Sequence, residues 1–241
     1  MNTYCGTGLA NPRNPRGLTL AWDHNVYARK NEMNNPKQPS IEIVQHYIAE
    51  WKKLENYTLQ EKSLNLLFHE YCPENTQIEK ILLKVSALND FYSTNIYDTY
   101  SVAKHILKCN IDSDLRNGSE ALVNKIAPVK ISGKTRNFYS FSSKYCSHHK
   151  PEAYPIYDSY VEKMLMHFKK KDKYEKFVKS DLKNYKRFVE LIVLFQKYYG
   201  LSGFSLRDID IYLWLAGKEH FPNRYKKKYS DSHQKILGQS L

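Results

Sequence analysis

The chain has 241 residues and carries 37 Lys and Arg against 25 Asp and Glu, a formal net charge of +12. This excess favours a partner that presents phosphates. No apolar run is long enough for a membrane helix, and residues 1–20 are polar with Pro12 and Pro15, unlike a signal peptide. We therefore expect a soluble, cytoplasmic protein with no membrane partner, large enough to bury a substantial core.

The hydrophobic pattern predicts helices almost throughout. Residues 1–39, rich in Gly, Pro and Asn, are predicted to form an irregular N-terminal arm. A helix follows from Ser40, a capping candidate, and a Thr58–Glu61 capping box predicts the next, through Phe68. Further helices are predicted at 75–91, 96–107, 119–127 and 137–146.

The C-terminal pattern predicts one long helix over 181–199 and another capped by Ser205 and Asp208 and ended at Gly217. The Asp208-x-Asp210 pair is explained by capping and solvation. Alternating strand patterns are nearly absent. The prediction is an all-α domain over 40–221, in two closely packed lobes, followed by a basic polar tail over 222–241 that is partly disordered.

The cysteines give no metal-binding framework. Cys5, Cys72, Cys109 and Cys146 lie far apart with no C-x-x-C pair, so neither a zinc ribbon nor an iron–sulfur cluster can be assembled locally. Cys146 with His148 and His149 lacks a fourth ligand, and we expect those histidines at the surface or facing DNA. We predict free or buried thiols, no metal, no iron–sulfur cluster and no cofactor.

Asp158 is predicted to lie at the start of a helix. Pro155 forces an extended entry, and Val161, Leu165 and Phe168 recur after it at helical spacing. The simplest interpretation is an N-cap, because Asp is a preferred capping residue and the helix dipole favours its charge. The basic, aromatic-rich segment before Asp158 suggests a second role.

Two motifs in this region, Gly133-Lys134-Thr135 and Asp158-x-x-Val161, are separated by an aromatic helix. Together they resemble the core of the helix-hairpin-helix DNA glycosylase superfamily, which includes endonuclease III and 8-oxoguanine glycosylase. In that family a Pro-Gly-x-Gly-x-Lys-Thr hairpin and a helix precede Asp-x-x-Val. Here residues 129–132 lack the Pro-Gly and the first hairpin glycine, and the interval from Lys134 to Asp158 is longer than usual. The resemblance covers residues 78–168.

The resemblance implies a DNA glycosylase that cleaves the N-glycosidic bond of a damaged or modified base and leaves an abasic site, with Asp158 as the essential carboxylate. Positive charge develops on the sugar as the base departs, and a nearby carboxylate stabilises it. Lys134 matches the nucleophilic lysine of the bifunctional family members. A phosphate contact is the alternative role for Lys134, so lyase activity stays open.

The remaining site residues are predicted around these motifs. Phosphate contacts are expected from Lys130, Gly133, Thr135, Arg136 and Lys144. A flipped base needs aromatic faces, and the candidates are Tyr139, Phe141, Tyr145, Tyr154 and Tyr157, with ordinary helix packing as the alternative for each. We expect a monomer bound to duplex DNA with one nucleotide flipped out.

Two other functions stay open at this level. The fold could serve as a non-catalytic DNA- or RNA-binding module, since the basic excess suffices for nonspecific binding. A protein-interaction domain in which Asp158 is only a cap is the third alternative. The sequence does not name the excised base, because pocket shape and contacts to exocyclic groups set that choice.

Overall fold

A computed structural model describes residues 35–222, which fall, apart from Asn35, in the compact unit that begins at Pro36. The predicted arm and tail lie almost entirely outside the described residues. The first half contains α1 (Ile41–Lys53), α2 (Glu55–Asn65), a π-helical turn (Leu66–Tyr71), α3 (Ile78–Phe91), α4 (Thr99–Cys109), α5 (Asp112–Asn117) and α6 (Leu122–Ile126). The second half contains β1 (Pro128–Ile131), β2 (Lys134–Asn137), α7 (Tyr139–His149), α8 (Ser159–Asp172), a 3-10 helix (Lys179–Lys183), α9 (Tyr185–Tyr198) and α10 (Leu206–His220). The all-α prediction is confirmed.

Short polar side chains set several helix starts as predicted. The Ser40 hydroxyl accepts from the Ile43 amide at 3.3 Å and caps α1. Ser205 and Asp208 form the predicted capping box of α10. These caps satisfy amides that have no partner within the helix.

The predicted Thr58–Glu61 capping box is wrong. Helix α2 already begins at Glu55, so Thr58 lies inside it and its hydroxyl bonds the Glu55 carbonyl. The Glu61 carboxylate instead pairs with Arg207 of α10. A tertiary ion pair therefore takes the place of the local capping hydrogen bonds that the sequence suggested.

A β-hairpin lies in a region where no strand was predicted. β1 and β2 pair antiparallel, with Ile131 opposite Lys134. Ser132 and Gly133 form the turn with φ of +47° and +79°, the left-handed backbone that a two-residue hairpin turn requires. Val129 enters the core, whereas β2 is exposed along its length. Four residues per strand are too few for a clear alternating pattern, which is why the prediction missed it.

The C-terminal helices differ from the prediction at two points. The single helix expected over 181–199 is divided at Asn184, whose backbone is extended and whose side chain accepts from the Arg187 amide to cap α9. Helix α10 continues past Gly217, which was expected to end it. A Cβ atom at Gly217 would lie 2.8 Å from the Tyr160 Cβ. The glycine therefore allows α8 and α10 to approach closely.

One continuous hydrophobic core joins these helices, and its largest fully buried side chains include Tyr145, Tyr154, Tyr185 and Tyr212. Helix α10 packs against both α1 and α8, and α3 packs against α7. The division into two lobes stays a prediction. This packing brings six helices around one cavity. No helix within residues 35–222 is long and apolar enough to cross a bilayer.

Candidate functional site

A partly enclosed cavity of about 110 Å³ lies between α1, α2, α7 and α10, beside the end of α3 and the start of α8. Its charged lining residues are Glu61, Lys144, Asp158, Arg207 and Asp210, and its aromatic ones are Trp51, Tyr57, Phe91, Tyr92 and Trp214. A cavity of roughly 150 Å³ is known to hold a benzene ring. The space is therefore on the scale of one aromatic ring, and it combines flat apolar faces with a few charged groups.

Lys144 enters this cavity from the middle of α7 and is only 4% exposed. Its Nζ donates to the Ser140 Oγ at 2.7 Å and lies 5.3 Å from the centre of the Tyr92 ring. Burial lowers the pKa of the Lys144 ammonium, an effect that the Asp158 and Asp210 carboxylates oppose. Desolvation disfavours the charged form of a lysine. A buried position therefore favours the neutral amine more than a solvent-exposed position does.

Asp158 caps α8, as the sequence predicts, and it also lines the cavity. Its Oδ1 accepts from the Tyr160 amide at 2.6 Å. The residue before it is fixed by α7, because the Ser140 hydroxyl donates to the Tyr157 carbonyl at 3.0 Å and the Ser143 hydroxyl accepts from the Tyr157 amide at 3.0 Å. Two serines thus hold the approach to Asp158 against the helix that carries Lys144.

Asp210 approaches the cavity from α10 and is 3% exposed. Its Oδ2 accepts from the Ile156 amide at 2.9 Å, while its buried Oδ1 has no hydrogen-bond partner among the described residues. Burial raises the pKa of Asp210 to about 7, although Arg207 and the Ile156 amide favour the ionised form. This finding corrects the sequence interpretation, which treated Asp210 as a solvated surface residue.

An ion pair fixes one aromatic wall of the cavity. The Arg207 guanidinium contacts the Glu61 Oε1 through Nη2 at 2.7 Å and through Nε at 2.8 Å. The Trp51 indole donates to the other Glu61 oxygen at 3.1 Å, and Arg207 lies 5.1 Å from the Trp51 ring centre. Such contacts hold a ring in one orientation, because both its N–H and its face are engaged.

Two further rings continue that wall. Tyr57 lies 5.7 Å from Trp51 in a stacked arrangement and 5.2 Å from Trp214 edge to face, measured between ring centres. The exposed Lys218 places its Nζ 2.9 Å from the Tyr57 hydroxyl and 4.9 Å from the Trp214 ring centre. The cavity therefore has an aromatic flank with a cation beside it.

Several predicted residues lie elsewhere. Lys134 is on the exposed strand β2, along with Thr135 and Arg136, and among the described residues these do not line the cavity. Lys130 and Gly133 are also exposed on the hairpin. The opposite holds for Lys144, which was expected to contact phosphates and is buried in the cavity wall. The hairpin and the cavity are thus separate features.

The five rings predicted to surround a base are core residues. Tyr139, Phe141, Tyr145, Tyr154 and Tyr157 are each 4% exposed or less, and none is among the residues that line the cavity. Their hydroxyls, where present, are engaged: Tyr139 donates to the Leu182 carbonyl at 3.0 Å and Tyr157 bonds Glu162. Ordinary helix packing, the alternative for each, is what the structure shows.

Of the two histidines expected at the surface or facing DNA, His148 is buried and His149 is partly exposed. His148 Nε2 lies 2.9 Å from the Tyr92 hydroxyl, and burial lowers the pKa of His148 to about 3. His149 Nε2 lies 3.2 Å from the ammonium of the buried Lys84. Cys72, Cys109 and Cys146 are free thiols. Within residues 35–222 no group of three or more His, Cys, Asp or Glu side chains is arranged to hold a metal ion.

Sequence reasoning missed most of the cavity wall. Glu61 and Arg207 are remote in the chain and no local pattern joins them. Lys144 and Asp210 did carry a signal, since each is a charged residue among neighbours that the helical pattern places in the core. A buried charge is usually retained for a reason, either a partner or a function.

Comparison with known proteins identifies relatives without adding an activity. The HI_0787_N model, described as an N-terminal domain, matches residues 43–153. That range includes Trp51, Glu61 and Lys144 and ends before Asp158 and Asp210. No solved structure matches the chain.

A Haemophilus influenzae (strain Rd) protein described as an uncharacterized protein is 48% identical over 153 residues, which cover 63% of this chain and 73% of the relative. Identity at this level over most of the relative establishes common descent and a shared fold. The chain belongs to the family of this Haemophilus influenzae protein.

Proposed function

We propose that this protein is a DNA N-glycosylase that removes a damaged or chemically modified base, with Asp158 as its essential carboxylate and Lys144, in place of Lys134, as its amine. One observation carries the proposal. Lys144 and Asp158 line the same ring-sized cavity, together with Trp51 and Trp214. A buried amine, a carboxylate and flat aromatic faces are groups that can together cleave an N-glycosidic bond.

The aromatic flank is suited to holding a flipped base. An enzyme that acts on the glycosidic bond must turn the nucleotide out of the stack and hold its base against aromatic or apolar faces. Trp51 is fixed by Glu61 and Arg207, and Tyr57 is stacked on it, so this side of the cavity is rigid before a ligand arrives. Stacking of a base on an aromatic ring of the cavity would contribute roughly 1–3 kcal/mol.

Asp158 supplies the negative charge. As the bond between C1′ and the base nitrogen lengthens, the sugar becomes positive, and a fixed carboxylate close to it lowers the barrier. Capping of α8 holds this carboxylate through its Oδ1. The role as N-cap and the role as electrostatic catalyst are therefore compatible in one side chain.

Lys144 supplies a nucleophile. When Lys144 is neutral, the lone pair of its Nζ forms a bond to C1′ while the bond from C1′ to the base nitrogen breaks. The base leaves with the electron pair of the bond that breaks. The amine then gives up a proton to a carboxylate of the cavity, and the departing base takes up a proton, so charge balances. Opening of the sugar ring, with protonation of its oxygen, leaves a Schiff base at C1′.

The exposed hairpin offers a separate surface for the DNA backbone. Lys130, Lys134 and Arg136 are solvent-exposed there, and the whole chain carries a net charge of +12. Exposed cations of this kind neutralise phosphates and position a protein on DNA without reading its sequence.

The test is release of base from duplexes that carry oxidised, alkylated, deaminated or bulky modified bases, with borohydride added during turnover. We expect release from at least one duplex and a covalent protein–DNA adduct. Lys144→Met should abolish the adduct, and Lys134→Gln, the matched control on the exposed strand, should keep it.

The outcomes separate the alternatives. Base release without an adduct would mean that water is the nucleophile and would remove Lys144 from that role. An adduct lost in Lys134→Gln and kept in Lys144→Met would restore the residue that the family resemblance implies. DNA binding with no release from any duplex would overturn the proposal in favour of a non-catalytic nucleic-acid-binding module.

A further inference from the structure

Helix capping does not explain the buried carboxylate of Asp210, and the proposed reaction assigns its essential charge to Asp158. Asp210 belongs to α10 and lines the cavity. It does not cap a helix, because Ser205 and Asp208 do so for α10. An ionisable side chain that is 3% exposed costs stability unless its polar atoms are paired.

The two oxygens of Asp210 are in different situations. Oδ2 accepts from the Ile156 amide at 2.9 Å, which fixes the rotation of the carboxylate. Oδ1 is buried and has no hydrogen-bond partner among the described residues. Since the great majority of buried polar atoms are paired, an unpaired acceptor in the wall of a cavity indicates a place for a ligand donor.

The cations that act on Asp210 are engaged elsewhere. Arg207 is held by Glu61 through two contacts shorter than 3 Å, and the Lys144 Nζ donates to the Ser140 hydroxyl at 2.7 Å. No salt bridge joins Asp210 to either cation in the part of the chain that the structure describes. Oδ1 is therefore left without a partner from the described residues, and a ligand donor reaches this buried oxygen when the cavity wall opens around it.

We infer that Asp210 Oδ1 accepts a hydrogen bond from the exocyclic amino group of the bound base, which makes Asp210 the specificity-determining residue for cytosine- or adenine-type bases over their deaminated counterparts. This inference rests on the proposed function. An exocyclic amino group projects beyond the ring edge and reaches an oxygen in the wall. A deaminated base carries a carbonyl at that position, which would face the Asp210 oxygen with lone pair against lone pair.

The expected preference for the amino-bearing base follows from the free-energy cost of placing two buried acceptors, the Asp210 oxygen and the carbonyl of a deaminated base, against each other. An unsatisfied or opposed buried polar group costs about 1–3 kcal/mol, which corresponds to a preference of roughly 5- to 150-fold for the amino-bearing base. The ring N–H groups of uracil-type and hypoxanthine-type bases do not replace the amino group, because each lies next to a carbonyl oxygen that the carboxylate repels.

The structure also dictates what an amide would do at this position. In Asp210→Asn, the Ile156 amide still requires an acceptor, so the side-chain oxygen would turn toward it. The Nδ2 group would then occupy the place of Oδ1 and present a donor to the cavity. The preference should therefore reverse, which loss of a merely structural contact would not produce.

The experiment compares matched duplexes that differ only at the amino group, namely 5-hydroxymethylcytosine against 5-hydroxymethyluracil and adenine against hypoxanthine with the same alkyl substituent. Base release is measured in single turnover at a pH above the pKa of Asp210, for the full chain, for Asp210→Asn and for Asp208→Asn, a partly exposed control two positions away. We expect the wild type and Asp208→Asn to prefer the amino-bearing member by at least about fivefold and Asp210→Asn to invert that preference.

Failure of the inference and failure of the proposed function give different results. If the wild type releases both members of each pair at equal rates, the specificity role of Asp210 is wrong and the glycosylase proposal stands. The same holds if Asp210→Asn slows both members equally. If no duplex releases a base, the proposed function falls and this inference falls with it. The rates for the two members of each pair can be compared with the wild type alone. The inference can therefore be refuted even if Asp210→Asn fails to fold.

Discussion

Lys134 and Lys144 lie close together in sequence and in opposite environments. Lys134 is on the exposed strand β2, whereas Lys144 is 4% exposed in the wall of a cavity. A hydrated lysine suits contact with phosphate, because its charge is stable in water. A buried lysine loses hydration, and its amine becomes available for chemistry. If the proposed function holds, burial, more than position in a motif, separates the binding surface from the reaction centre.

Removing the charge of Asp158 is expected to have the largest effect on the cavity side of this comparison. Asp158→Asn keeps an oxygen that can accept from the Tyr160 amide, so the free energy of unfolding should change by no more than about 1 kcal/mol. Loss of the charge facing the sugar should cost roughly 2.7–4 kcal/mol of barrier, or about 100- to 1000-fold in rate. Single-turnover base release and thermal melting measure the two effects.

The outcome that would contradict this role is specific. A folded Asp158→Asn protein that releases base at the wild-type rate would leave Asp158 as a helix cap alone. Normal DNA binding by the variant is expected, because the exposed hairpin cations are unchanged.

Substitution of two glycines, one between packed helices and one in the exposed hairpin, should change the free energy of unfolding by different amounts. Gly217→Ala would place a methyl group 2.8 Å from the Tyr160 Cβ and 2.9 Å from its carbonyl oxygen, and overpacking of this kind typically costs about 1–3 kcal/mol. Gly133→Ala meets no atom within 4 Å, so only its φ of +79° is unfavourable, at roughly 1–2 kcal/mol. Denaturant unfolding of both variants is the measurement. A larger loss for Gly133→Ala would mean that α8 and α10 can move apart without cost.

Much of the fold was predictable because its signals are local. Helical spacing of apolar residues and polar caps such as Ser40 place most helices within a few residues of their observed limits. The hairpin was missed because its strands are short and its turn is Ser132-Gly133, a less distinctive pair than Asn-Gly. Gly217 was misinterpreted because its reason, contact with Tyr160, lies in a different helix.

The site was predictable only in part. Asp158 could be found because capping leaves a local pattern, and its catalytic role stays a prediction. Lys144 was assigned to phosphate on its charge alone, although its neighbours in the helical pattern indicated that it could be buried. The wall formed by Trp51, Glu61 and Arg207 depends on the packing of α2 against α10, which no local pattern predicts.

Titration of Asp210 gives a pH-dependent difference in stability. The pKa of Asp210 is raised to about 7 by burial, with Arg207 and Lys144 opposing and Asp158 reinforcing the shift. A carboxyl whose pKa is raised on folding stabilises the fold fully below its unfolded pKa near 4, and that contribution is lost as the pH rises through about 7.

Asp210→Asn removes this titration and keeps an acceptor for the Ile156 amide. Relative to the variant, the wild type should therefore lose stability between pH 4 and pH 7, by at most about 1.4 kcal/mol per pH unit. Unfolding of both proteins across this range measures the difference. A constant difference at every pH would show that the Asp210 carboxyl is solvated in the folded protein.

The smallest effects are expected on the exposed side, where the proposed function assigns single cations to the DNA backbone. Lys130→Ala and Arg136→Ala should each reduce the slope of log K against log salt by about 0.9, because each lost phosphate contact releases one fewer counterion.

Lys144→Met is the matched control. Its ammonium is buried in the cavity wall and donates to Ser140, so the salt slope should stay as in the wild type even though base release is lost. Fluorescence anisotropy with a labelled duplex over a range of salt concentrations measures all three. A slope that falls for Lys144→Met and stays constant for the hairpin variants would exchange the roles of the two regions, because counterion release would then occur at the cavity and the hairpin would not contact phosphate.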